Sequence, residues 1–173
     1  MLRLEVIHER HRRAYLEAAK EFFDQPEPDA DFFYELAHDD FTEVVRRYHN
    51  RARGIDLPPA YAQEYKYLLM DGDVVVGRGG IRPEPNDEHM RSHGHIGYVI
   101  RPSCRNRGYG TAALTLLLRR SAELGIREPI IVCKPDNHAS LNIIKKMGGA
   151  FLDTVTLPDG STRTRYHMPE SKP

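Results

Sequence analysis

One stretch constrains the fold more than any other. An apolar run, HIGYVI (95–100), leads into a basic, glycine-containing loop, RPSCRNRGYG (101–110). An amphipathic helical pattern then runs from Gly108 to Leu124, stopped by Gly125, and a second short apolar run, PIIVC, covers 129–133. Strand, helix and strand in succession call for a sheet with a helix laid on its face. The flanking segments extend that sheet. LRLEVIH (2–8) alternates apolar and polar residues as a short strand does. EYKYLLM and VVVGRGGI flank Asp71-Gly72-Asp73, a hairpin signature. AFLDTVTL and RTRYHM flank Pro158-Asp159-Gly160 in the same way.

Helical spacing covers Glu9 to Asp24, with Tyr15, Leu16, Ala19, Phe22 and Phe23 expected on one side. DQPEPDAD ends that pattern, because proline does not fit a helix interior. A second helix is expected over 41–53, ending at Gly54, and another over 138–147, closed by Gly148-Gly149. The order is strand, two helices, three strands, helix, strand, helix, two strands. It predicts an α/β (α+β) architecture with a mixed sheet, read as a single domain over 1–173.

Composition narrows the function. Lys and Arg balance Asp and Glu at 25 each, which argues against a broad electrostatic surface for nucleic acid. No aromatic stacking pattern accompanies the loop arginines, which also disfavours a nucleic-acid binder. No apolar stretch approaches a membrane span, and the charged start does not read as a secretory signal, so a cytoplasmic protein is expected. Two cysteines, Cys104 and Cys133, are too few for a disulfide framework.

The loop itself suits a diphosphate. A helix N-terminus offers unpaired N–H groups and partial positive charge, glycine lets a phosphate approach the backbone, and Arg105 and Arg107 add full charges. Neither G-x-x-x-x-G-K-[ST] nor G-x-G-x-x-G is present, so the P-loop and Rossmann motifs are excluded. A basic loop that merely caps a helix is the competing reading.

The spacing resembles a known family. YVIRPSCRNRGYGTAALTLLL is similar to the signature segment of the GNAT superfamily of acyl-CoA-dependent N-acetyltransferases: V-x-P at Ile100-Arg101-Pro102, then R/Q-x-x-G-x-G/A at Arg105 to Gly110. Downstream, Asn137 and Ser140 stand where the family's N-x-x-[AS] opens the next helix, and that helix ends at Gly148. The resemblance covers about 61–168. It implies a mixed, mostly antiparallel sheet of about seven strands with a splayed central parallel pair, flanked by about four helices. It implies acetyl-CoA as co-substrate, held by Arg105, Asn106, Arg107, Gly108, Tyr109, Gly110 and Thr111 at the pyrophosphate, by Tyr98, Val99 and Ile100 along the pantetheine, and by Asn137. It also implies direct attack by a primary amine, with no metal.

Proton transfer needs a base and an acid. His93 and His95 are two apart on an expected strand, so both should face one side of the sheet. Histidine titrates near neutrality, and His95 is the expected base, with Glu88 acting through water as another route. The family's usual tyrosine acid is absent, because its position holds Ile144. Ser140 is the expected substitute; Tyr98 and Tyr166 are further phenols, and Cys133 is read as packing. The missing tyrosine keeps open a second reading, an acyl-CoA-binding module with little turnover.

From Glu21 to Val45 the chain holds nine acidic residues and no lysine or arginine. Carboxylates at Asp29 and Asp31, with Phe32, Phe33 and Tyr34, would favour a cationic amine acceptor; a solvated acidic loop is the alternative. The last hairpin can pair across a homodimer, as edge strands do.

Overall fold

The computed structural model describes residues 1–24, 40–57 and 61–170. Among the described residues seven strands form one sheet: β1 (Leu2–Val6), β2 (Tyr65–Asp71), β3 (Val74–Ile81), β4 (Ile96–Ile100), β5 (Ile130–Cys133), β6 (Ala150–Thr156) and β7 (Thr162–His167). Their order across the sheet is β1-β2-β3-β4-β5-β7-β6, antiparallel throughout except for the parallel pair β4–β5. The expected mixed sheet with a central parallel pair is therefore present. Among the described residues five α-helices accompany it: α1 (Arg12–Asp24), α2 (Phe41–Ala52), α3 (Asp87–Ser92), α4 (Tyr109–Glu123) and α5 (His138–Lys146). The one beyond the expected four is α3, a short helix that Asn86 starts by accepting a hydrogen bond from the His89 N–H.

The two faces of the sheet bury different helices, and alternation along the strands sorts the residues between them. On one face, α1 and α2 pack through Tyr15, Ala18, Ala19, Phe22, Val44 and Tyr48. On α1 the buried spacing is 15, 18, 19, 22, a helical stripe. Leu16 and Phe23, expected on that stripe, are instead largely exposed. On the other face, α4 buries Leu114, Leu117 and Leu118 against Ile81, Ile96 and Ile131. Each such fully buried side chain contributes roughly 1.5–3 kcal/mol.

On β3 the alternation is visible atom by atom. A Cβ at Gly79 would meet Leu117 of α4, whereas the next-door Arg78 guanidinium stacks 5.2 Å from the Tyr48 ring of α2. The α2 face thus receives Arg78 and the α4 face receives the space at Gly79.

Candidate active site

β4 and β5 touch in register only at Ile96 and Ile131. β4 continues to Ile100 and β5 to Cys133, so the strands part after that single pair, and the β5-facing peptide groups of the remaining β4 residues gain no sheet partner. A cavity of about 760 Å³ occupies the parting, walled on the sheet by Ile96, Gly97, Tyr98, Ile131, Val132 and Cys133.

The loop after β4 opens α4; of the expected cofactor residues Tyr98 and Asn137 line the cavity, and none of 99–111 does. Asn106 (φ 58°) and Gly108 (φ 81°) both adopt left-handed backbone, which turns the chain sharply around Arg107. Gly108 caps α4 with no side-chain hydrogen bond to the first-turn N–H groups, and no atom lies within 4 Å of where its Cβ would be. The N–H groups at the start of α4 are therefore open on that side. Gly110 has a different constraint: a Cβ there would come 2.8 Å from Ile143 Cδ1 of α5 and 3.8 Å from the Tyr98 ring.

The loop arginines largely hold the loop itself. Arg101 Nε donates to Glu21 at 2.6 Å, and Glu21 also accepts from the Ser103 N–H and hydroxyl. Those bonds and the Arg101 charge outweigh burial and hold the Glu21 carboxyl below its usual range. Arg105 Nε donates to the Ile100 carbonyl at 3.0 Å, and Arg107 lies over the Tyr109 ring. The Tyr109 hydroxyl donates to Asp71 at 2.6 Å, tying α4 to the β2–β3 turn. Asn137 caps α5, accepting from the Ser140 N–H at 3.0 Å, and both residues line the cavity.

The histidines are not arranged as a strand pair. His93 is the C-cap of α3, and His95 sits in the connection before β4. His95 Nδ1 accepts from the Ile130 N–H at 2.9 Å, and its backbone bridges to Ile130 and Arg82, so the side chain is committed to joining strands. The cavity wall contains His89, Ser92 and His93, and neither His95 nor Glu88. The Ser92 hydroxyl donates its single proton to the Glu88 carbonyl at 2.7 Å. Its 2.6 Å contact with His93 Nδ1 then requires the imidazole to donate, which leaves Nε2 as the basic nitrogen. Though the ring borders the open cavity, desolvation, then Arg82 and His89, push the His93 pKa down to about 4. Burial, Arg82 and Arg51 also lower that of His89.

On the α4 face the Tyr98 hydroxyl is buried without a hydrogen-bond partner. Ser140 lies close enough to favour its ionisation, yet the two hydroxyls form no bond of ordinary geometry, and burial dominates to raise the phenol's pKa. Burial likewise raises the Cys133 thiol to about 11, so it remains protonated. Tyr166 packs edge-on against Phe151 and lies outside the cavity wall. Ile144 is fully buried.

Sequence reasoning missed the charged wall on the α2 face. Glu64, 1% exposed, bridges Arg51 (3.1 Å) and Arg82 (2.6 Å), and a Cβ at Gly80 would strike its carboxylate. Lys66 and Arg78 stack on Tyr48 beside them. The available signal was period two, with Arg78, Gly80 and Arg82 alternating through an otherwise apolar strand. Of the acidic run, Glu21, Asp40 and Glu43 are engaged with Arg101, the α2 N-terminus and Arg46, and none lines the cavity. Asp29, Asp31, Phe32, Phe33 and Tyr34 lie outside the described residues. Among the described residues no group of three or more His, Cys, Asp or Glu could hold a metal, and no helix is long and apolar enough to cross a membrane.

Parted parallel strands and a left-handed glycine opening the helix between them are the two features that the family resemblance implied for this segment. A profile of the acetyltransferase (GNAT) domain matches residues 2–150, and the chain belongs to that family. Over 88 residues it is 28% identical to YnaD, an uncharacterised N-acetyltransferase of Bacillus subtilis (strain 168); the match spans 50% of this chain and 49% of that protein. Solved structures share the fold at low identity. Mycobacterium smegmatis RimJ, in complex with CoA-disulfide, gives a TM-score of 0.72 at 16% identity, over 96% of this chain and 81% of that one. The Microcin C7 self-immunity acetyltransferase MccE, bound to acetyl-CoA and AMP, gives 0.69 at 12% identity, over 97% and 92%. A chimera of Vibrio cholerae spermidine N-acetyltransferase SpeG with hSSAT gives 0.62 at 12% identity, over 98% and 95%.

Proposed function

We propose that the chain transfers an acetyl group from acetyl-CoA to a primary amine in a ternary complex, without a covalent enzyme intermediate. The observation that carries this reading is the parting of β4 from β5 beside the left-handed turn at Gly108. Residues 105–111 offer N–H groups to the pyrophosphate, and the freed edge of β4 at Tyr98–Ile100 offers peptide groups to the pantetheine. Acetyl-CoA supplies the activated acetyl thioester.

The chain's own groups then divide the work. A β4 N–H donates to the carbonyl oxygen as negative charge develops there. Neutral His93 takes the proton that the amine loses as its nitrogen bonds to the acetyl carbon. This places the base at His93 rather than at His95, whose Nδ1 is occupied. The carbon–sulfur bond breaks, and the departing sulfur takes a proton from Tyr98, a buried phenol held in its protonated form, with Ser140 beside it. Solvent balances the proton gained at His93 and the one lost at Tyr98.

A calorimetric titration with acetyl-CoA on the wild type, Gly108→Asn and Gly108→Val tests the cradle. Asparagine tolerates left-handed backbone and valine does not, yet both place a Cβ in the open space at residue 108. Wild-type binding lost in both variants supports the reading. Wild-type binding kept in Gly108→Asn would remove the phosphate from this turn, and no wild-type binding would remove the acetyltransferase reading.

A further inference from the structure

The α2-face half of the cavity has a charge of its own, apart from the turn that opens α4. Arg82 is 4% exposed, lines the cavity, and its Nε is buried with no hydrogen-bond partner. Its terminal nitrogen pairs with Glu64, but Glu64 is shared with Arg51, so two guanidiniums divide one carboxylate. Arg163, from β7, joins the same cavity wall, and the partners of its NH1 are the neutral Ser161 hydroxyl and Thr162 carbonyl. Among the described residues, Arg51, Arg82 and Arg163 therefore gather with Glu64 around His89 and His93, and Glu88 acts on His89 as well. The cost of keeping charge in a half-dry site falls when an opposite charge enters it.

Cradle and wall are on opposite faces of the sheet. Arg78 and Lys66 mark the α2 face by stacking on Tyr48, and Gly80 meets Glu64 there. Gly79 and Tyr98 mark the α4 face through Leu117 and the Gly110 position. A ligand phosphate seated on the α4 turn lies on the opposite face of the sheet from Arg82.

Resting on the transferase reading above, the geometry points to an acceptor whose amine is joined by a short tether to an oxyanion, a carboxylate or a phosphate, that Arg82 and Arg163 receive beside His93. Such an acceptor couples recognition to chemistry. Arg82 and Arg163 both disfavour protonation of His93, and Glu64 opposes them. An anion arriving among these groups offsets the guanidiniums and makes His93 a stronger base only when the acceptor is in place. The acidic run supports a cationic acceptor instead, and the test opposes the two directly.

The test compares matched amines at low ionic strength by release of free CoA: phosphoethanolamine against ethanolamine, β-alanine against propylamine, and 1,4-diaminobutane and spermidine as polycations. The expected result is a kcat/KM at least ~10-fold higher for the anionic member of a pair, shrinking as added salt screens the charges. Whether phosphoethanolamine or β-alanine shows the larger ratio identifies the oxyanion. Arg163→Gln, at a partly exposed strand position, should remove most of the preference while the acetyl-CoA Kd stays within ~2-fold of wild type, as expected for a residue outside the cradle. Equal rates within each pair, or faster turnover of the polycations, overturns the inference. Calorimetry keeps the two readings separate. Phosphoethanolamine binding that weakens in Arg163→Gln supports the anion site even if acetyl-CoA fails to bind. Acetyl-CoA binding with no phosphoethanolamine or β-alanine binding to the CoA-loaded protein overturns the anion site alone.

Discussion

Replacing Glu64 by glutamine tests whether this carboxylate holds the charged wall together. The side chain is 1% exposed, accepts a hydrogen bond from Arg82 at 2.6 Å and forms an ion pair with Arg51 at 3.1 Å. Breaking a buried ion pair by removing one partner costs about 3–5 kcal/mol, because a buried charge is left uncompensated. Glutamine matches glutamate in shape, fits the space left by Gly80, and its carbonyl oxygen still accepts one hydrogen bond, so the lower end, about 3 kcal/mol, applies. For a chain of this size each kcal/mol shifts Tm by roughly 2–4 °C, so Glu64→Gln should melt roughly 6–12 °C below wild type. Circular-dichroism melts at pH 7 and low salt read the shift. Added inorganic phosphate should raise the Tm of the variant by more than that of the wild type, since it answers the newly exposed charge. A fall of under ~2 °C would refute the claim that Glu64 compensates two buried guanidiniums, because the predicted shift is several times larger.

Tyr98→Phe should leave stability unchanged or raise it by about 1 kcal/mol, since the hydroxyl it removes is buried and unpartnered, yet lower kcat ~10–100-fold with KM for acetyl-CoA nearly constant. Unchanged kcat in steady-state kinetics would take the acid role from Tyr98. His93→Gln should lower kcat/KM by ~10²-fold or more, and His95→Gln by less at equal protein stability. The wild type should also lose Tm faster than His93→Gln as the pH falls from 6.5 towards 4. In that window the unfolded imidazole binds a proton that the folded one, desolvated and hemmed by Arg82, His89 and Arg163 against Glu64, refuses. Parallel melting curves would contradict this.

Much of the fold was legible because its period is local. The Asp-Gly turn beside VVVGRGGI and the helical pattern after Gly108 placed β3 and α4 to within a residue or so. The strand–helix–strand order called for a mixed sheet, and the family resemblance implied the parallel pair at its centre. The site was less legible because it depends on contacts distant in sequence. Nothing local says that Arg101 is answered by Glu21, 80 residues earlier. Nothing local says that His95 spends its nitrogen on Ile130, 35 residues later. Two histidines at i and i+2 read as one face of a strand, but the strand starts only at Ile96, and α3 places His93 in the cavity instead. The arginine wall was hidden for the same reason. Its members come from α2, the end of β3 and β7, and only the folded sheet gathers them.

The single register pair between β4 and β5 also makes the sheet a seamed object. Four strands lie on one side of it and three on the other. Amide hydrogens along the gap-facing edge of β4 should exchange with solvent far faster than those shared with β3, and a bound extended ligand should slow them selectively. The two half-sheets meet at the Ile96–Ile131 pair, at the Gly94–Ile131 bridge and through the bonds between His95 and Ile130. A ligand pairing with the open edge of β4 should act as the missing stitch, and the seam should stiffen as it binds.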